Sequence, residues 1–118
     1  MKRYKPLFEN EIVTELGKNR NGVFTIILET IKNGQMYDVS ELTYSENPNI
    51  GYTQDKNSED YIYIEWVETP SGYRGQGYAS QLLDYLVKKY KHKKIIAHTN
   101  SLSTNIVKKY NIIEIDTK

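Results

Sequence analysis

The sequence predicts an α/β fold, one domain over residues 1–118, with a mixed, mostly antiparallel central sheet and flanking helices. Three observations point there. Asn33-Gly34 separates two stretches rich in β-branched and aromatic residues, the pattern of an antiparallel hairpin, because a type I′ turn needs positive φ at both central positions. Tyr61–Glu68 alternates as a strand does. Beyond it the order is strand, helix, strand, so a hairpin-built front meets a βαβ-built back and the sheet is mixed.

Taken in order, Glu9–Leu16 reads as a short helix or as a first strand at Ile12–Thr14. Gly17–Gly22 is turn-rich. Val23–Ile31 is a strand, and Met36–Tyr44 is its partner across the Asn33-Gly34 turn. Ser45–Asp60 is polar, holds Pro48 and Gly51, and reads as a long loop, with or without a short edge strand. Tyr61–Glu68 is the strongest strand, ended by Thr69-Pro70-Ser71-Gly72. Ala79, Leu82, Leu83, Leu86, Val87 and Tyr90 then form one apolar stripe over three helical turns, with Lys88, Lys89 and Lys91 where positive charge complements the helix dipole. Lys94–Thr99 is a short strand. Leu102–Lys109 is a second helix, with Asn100, Ser101 or Ser103 as its cap. Ile112–Ile115 is a terminal strand.

Composition excludes several function classes. The chain has no cysteine, so disulfides, zinc–thiolate sites and a thiol nucleophile are ruled out. His92 and His98 lack a metal-ligand partner at helical spacing, so no metal is expected. No apolar run approaches the ~18 residues of a membrane helix, and Met1–Asn10 is not followed by the apolar segment of a signal peptide. A cytosolic protein is expected. The net charge of +1 hides an asymmetry: residues 1–68 hold 7 basic and 12 acidic side chains, and residues 69–118 hold 9 and 3. The basic half favours an anionic ligand. The acidic front half weighs against nucleic acid. The 11 tyrosines suit strands and also protein interfaces.

Tyr73-Arg74-Gly75-Gln76-Gly77-Tyr78-Ala79 lies between the strongest strand and the strongest helix. A helix N-terminus offers unpaired N–H groups and partial positive charge. Glycines let the backbone approach phosphate oxygens, and Arg74 adds a fixed positive charge. The loop lacks the Gly-Lys-Ser/Thr of a P-loop and the third glycine of a dinucleotide fingerprint. With Arg74, Gly77 and Ala79 at its key positions, it resembles the signature of the GNAT acyltransferases: Arg or Gln, two residues, Gly, one residue, Gly or Ala. Val67 and Pro70 upstream and Ser80-Gln81-Leu82-Leu83 downstream agree with it, and the resemblance runs from Tyr61 to about Ile112.

The resemblance implies acetyl-CoA as co-substrate, with its pyrophosphate on the amides of Arg74, Gly75, Gln76, Gly77, Tyr78 and Ala79. It implies a bulged strand end at Trp66, Val67 and Glu68 for the pantetheine arm, and a V-shaped gap between that strand and Lys94–Thr99. Lys88–Lys94 is a candidate for the 3′-phosphate. Glu65, with Glu68 behind it, is the candidate base, and Tyr110 the candidate acid. The acceptor is an unidentified amine. The chain departs from the family pattern in three places. Val107 occupies the usual tyrosine position, Asn111 stands at the usual glycine, and no helix pair is legible between Gly17 and Ile31. The alternative is therefore a catalytically degenerate GNAT-like module that binds another protein, of the kind a phage directs against a bacterial defence protein.

Overall fold

Asn33 and Gly34 adopt φ of 51° and 78° and close a tight turn between β3 (Val23–Lys32) and β4 (Gln35–Glu46), whose last pair is Lys32↔Gln35. The structure is a computed structural model that describes residues 2–4, 11–20, 22–46, 61–99 and 101–115, the first three by backbone alone. A Cβ at Gly34 would meet nothing within 4 Å, so its positive φ is the only obstacle to a side chain. Gly34→Ala is therefore expected to destabilise the protein by about 1 kcal/mol, read as a lower denaturant midpoint.

Among the described residues the other strands are β1 (Lys2–Tyr4), β2 (Glu11–Leu16), β5 (Tyr61–Glu68), β6 (Lys94–His98) and β7 (Ile113–Ile115), and the seven lie side by side in chain order. Neighbours are antiparallel from β1 to β5 and parallel from β5 to β7, which is the mixed sheet expected. The helical alternative for Glu9–Leu16 is overturned from Glu11 onward. That stretch pairs with β3 from Glu11↔Thr30 to Leu16↔Thr25 and with β1 on its other side, so ladder bonds on both edges outweigh a weak local helix preference. β1 itself was not anticipated. Most of the loop read at Ser45–Asp60 lies outside the described residues, as does Asn100; Ser45 and Glu46 extend β4.

The apolar stripe becomes α1 (Tyr78–Lys89), which buries Tyr78, Leu82, Leu83 and Leu86 against the sheet. Val13, Ile26, Leu28, Leu42, Tyr44, Ile62 and Ile64 supply the sheet side of this core. Tyr44 is fully buried, stacks on Phe24, and its hydroxyl meets that of Tyr90 at 3.0 Å. This pairing satisfies two phenols that burial keeps protonated.

The second helix, α2 (Thr104–Lys109), starts two residues later than expected because Ser103 is its cap, accepting a hydrogen bond from the Ile106 amide at 3.3 Å. Its end explains Asn111. Residue 111 has φ of 53°, and the Ile112 amide reaches back to the Val107 carbonyl at 3.0 Å. This is the left-handed helix stop where glycine is usual and asparagine is the best-tolerated substitute. The Tyr110 hydroxyl contacts α1, so both helices lie on one face of the sheet. Among the described residues no helix covers the opposite face.

Two strands carry an extra residue. In β4, Leu28↔Ser40 is followed by Glu29↔Asp38, leaving Val39 over. In β5, Thr43↔Trp66 is followed by Tyr44↔Ile64, leaving Glu65 over. A bulge places two consecutive side chains on one face; Glu65 and Trp66 are accordingly both exposed between buried Ile64 and half-buried Val67.

Candidate functional site

β5 and β6 form a short ladder: Tyr61↔Lys94, Ile62↔Ile95 and Tyr63↔Ile96. Past that point the strands share no further pair. Ala97 and His98 turn to β7, while among the described residues Trp66, Val67 and Glu68 keep only their β4 partners Thr43, Leu42 and Glu41. The β6-facing edge of the β5 end is thereby left to other partners. The bulge at Glu65 lies just before this segment and aims it away from its original line.

A cleft of about 620 Å³ opens at this end of the sheet, within the range of small-molecule sites. Its walls are Trp66–Glu68 at the end of β5 with Thr69 after it, the loop from Tyr73 into α1's first turn, and Ser101–Ser103, Asn105 and Ile106 around the start of α2. The loop is pinned at its root. Ser40 Oγ donates to the Glu68 carbonyl at 3.0 Å and sits 2.8 Å from Thr69 Oγ1, and Arg74 Nε donates to the Thr69 carbonyl at 2.8 Å. Tyr78 buries its ring beneath the loop and donates to Gln76 Oε1 at 3.1 Å.

The loop has the physical features of an anion site. Gly77 precedes α1 with φ of 78° and supplies no side-chain cap, and the helix's first turn holds no acidic residue. The amides at this N-terminus are therefore available to an anion, with the helix dipole in support. A Cβ built on Gly75 or Gly77 meets nothing within 4 Å, so the glycines leave the space before the loop open. A diphosphate fits this end of the cleft on these grounds.

Of the residues singled out from the sequence, Trp66, Val67, Arg74, Gly75, Gly77, Tyr78 and Ala79 come together on the cleft wall. Gln76 sits in the same loop but does not line the cleft. Glu65 stands beside Trp66 on the open face, accepting from Ser45 Oγ at 3.2 Å. Its charge, after burial, holds the neighbouring Tyr63 phenol above its ordinary pKa.

Tyr110 is placed elsewhere: its hydroxyl lies 2.7 Å from Asp84 Oδ1 and 3.0 Å from the Ser80 carbonyl oxygen, one proton between two acceptors, outside the cleft lining. Burial first, and the Asp84 carboxylate second, raise its pKa.

The run Lys88–Lys94 begins at the far end of α1, roughly 16 Å from the loop at about 1.5 Å per residue. There Lys89 pairs with Glu15, and Lys89 and Lys93 lie over the Tyr90 ring. It is not part of the cleft.

Sequence reasoning missed Ser101, Ser103, Asn105 and Ile106 as cleft residues. They stand where the chain leaves β6, and the V-shaped gap expected beside Lys94–Thr99 was the one clue to them. Among the described residues no group of His, Asp or Glu could hold a metal ion, and no helix is long and apolar enough to cross a membrane.

Residues 42–109, more than half of the chain, match the family model described as acetyltransferase (GNAT) family. Among solved structures, the chain is similar to a predicted acetyltransferase with acetyl-CoA from Clostridium acetobutylicum, at 25% identity and a TM-score of 0.51. The similarity covers 83% of this chain and 62% of the other, so this chain spans less than two thirds of that protein. No curated protein matches.

Proposed function

The chain belongs to the acetyltransferase (GNAT) family, and we propose that it moves an acetyl group from acetyl-CoA to an amine. The observation that carries this reading is the coincidence of two features in one cleft: a strand end that among the described residues is unpaired on one edge, and a glycine-lined helix N-terminus with no side-chain cap. Acetyl-CoA, when bound, brings a thioester carbonyl carbon that an amine attacks, so that an amide forms and the C–S bond breaks.

The chain's own residues have three tasks. The amides of Gly77, Tyr78 and Ala79 hold the diphosphate. The free edge of Trp66–Glu68 pairs with the amide groups of the pantetheine arm and so fixes the depth of the thioester. Glu65, on the bulge beside Trp66, takes a proton from the attacking amine. Tyr110 has a positioning role, tying α2 to the first turns of α1 through Ser80 and Asp84. Among the described residues the phenols that line the cleft, Tyr73 and Tyr78, belong to the glycine loop, so the departing sulfur takes its proton from solvent.

The test is release of free thiol from acetyl-CoA in the presence of a panel of primary amines. Glu65→Gln is expected to lower turnover about 10²–10⁴-fold with acetyl-CoA affinity unchanged. Unaltered turnover would remove Glu65 from the mechanism. Tyr110→Phe is expected to cost about 1 kcal/mol of stability and to leave turnover within a few-fold.

One observation favours a second reading, protein binding. Leu16, Ile31, Met36, Tyr37 and Trp66 are large apolar side chains that are 39–54% exposed. Thiol release that depends on a small amine would decide for the enzyme.

A further inference from the structure

The phosphate end of the cleft needs positive charge, and the lysine run that the sequence offers lies at the wrong end of α1. Among the described residues Arg74 is the one cation in the cleft lining, and its Nε is committed to the Thr69 carbonyl. A second cation comes from a part of the chain outside the family match.

β3 and β4 run on beyond the end of β5. The last β4–β5 pair is Glu41↔Glu68, whereas β3 and β4 continue through Glu29↔Asp38, Thr30↔Tyr37, Ile31↔Met36 and Lys32↔Gln35. At about 3.3 Å per residue these pairs make an arm roughly 13 Å long. Side chains alternate along a strand, so Lys32 and Thr30 share the face of Leu28, which belongs to the core under α1. The arm thus presents Lys32 on the helix side of the sheet, ahead of α1's N-terminus.

The contacts agree with the alternation. Lys32 Nζ lies 6.0 Å from the ring centroid of Tyr73, which itself lines the cleft and meets Tyr78 edge-on. Lys32 is exposed, and among the described residues it forms no ion pair. Among the described residues its head group is held at the cleft wall by an aromatic face alone, a hold of about 0.5–1 kcal/mol at an exposed site. A phosphate competes well with that hold, because a charge-assisted bond is shorter and stronger.

We infer that Lys32 is a coenzyme-phosphate ligand contributed by the β3–β4 arm, passing from the Tyr73 ring to a phosphate oxygen when acetyl-CoA enters. The inference rests on the proposed acetyl-CoA site. The arm would thereby add a second cation to Arg74 from outside the family segment, residues 42–109.

The test compares acetyl-CoA with S-acetylpantetheine, which keeps the thioester and lacks the phosphates. Lys32→Met retains the aliphatic stem and removes the charge. It is expected to weaken acetyl-CoA binding about tenfold and to leave S-acetylpantetheine binding unchanged. Lys32→Arg is expected to restore acetyl-CoA affinity, and added salt to weaken the wild type more than Lys32→Met.

Equal losses for both ligands would overturn the inference, since they would mean that the arm merely shapes the cleft. So would acetyl-CoA affinity unaltered in Lys32→Met. Failure of the wild type to bind acetyl-CoA would instead overturn the site on which the inference stands, so the two failures are distinguishable.

Discussion

Gly77→Glu is expected to weaken acetyl-CoA binding at least about a hundredfold, since a like charge set against a ligand costs several kcal/mol. The carboxylate would enter the space where the loop amides meet the diphosphate, and it would sit at the positive end of α1's dipole, where it would occupy the donors itself. The protein should remain folded. A Cβ at residue 77 meets nothing within 4 Å, so the structural penalty is that of a φ of 78° for a side-chain-bearing residue, about 1–2 kcal/mol. Gly77→Ala carries the same backbone penalty without the charge and is expected to lose far less affinity. Calorimetric titration of both variants, with circular dichroism to confirm folding, separates charge from strain. Equal affinity in wild type and Gly77→Glu would take the phosphate away from this loop.

Leu86→Ala is expected to be the most damaging conservative change to stability. Leu86 is fully buried in the middle of α1's apolar stripe. Truncating such a leucine typically costs about 2–5 kcal/mol through lost transfer energy and the cavity left behind. A domain of this size holds only about 5–15 kcal/mol in reserve, so the thermal midpoint should fall on the order of 10 °C. Leu86 lies two turns beyond the loop. At a temperature where the variant is folded, its acetyl-CoA affinity should match the wild type. A loss of less than about 1 kcal/mol would mean that α1 is not packed as described.

Much of this architecture was legible in the sequence because each signal had a single physical cause. Asn33-Gly34 meets the demand for two positive φ values. The Tyr61–Glu68 alternation matches the sheet period. The Leu82, Leu83, Leu86 spacing has no reading other than one helical face. The order strand, glycine loop, helix placed Arg74–Ala79 at a helix N-terminus, where the structure also has it.

What was not legible depends on tertiary neighbours. Glu11–Leu16 is too short for periodicity to settle, and its strand character comes from pairing on both sides. The family resemblance implied a bulge at the Trp66–Glu68 end of the strand, but its place at Glu65 is a property of register between β4 and β5, which no local pattern encodes. Tyr110 looked like a proton donor because of its neighbourhood in the chain; its hydroxyl goes to Asp84 and Ser80, a contact made across two helices. Lys88–Lys94 and Lys32 show the same lesson from opposite sides. The dense run is carried away from the loop by the length of α1, while an isolated lysine is brought to it by the length of a hairpin.

An amide-resolved NMR titration with acetyl-CoA addresses the site itself. The account predicts saturable shifts concentrated at Val67, Glu68, Gly75, Gly77, Tyr78 and Ala79, with a micromolar midpoint equivalent to about −8 kcal/mol. Absence of shifts at millimolar acetyl-CoA, or shifts confined to Lys88–Lys94 at the far end of α1, would contradict it.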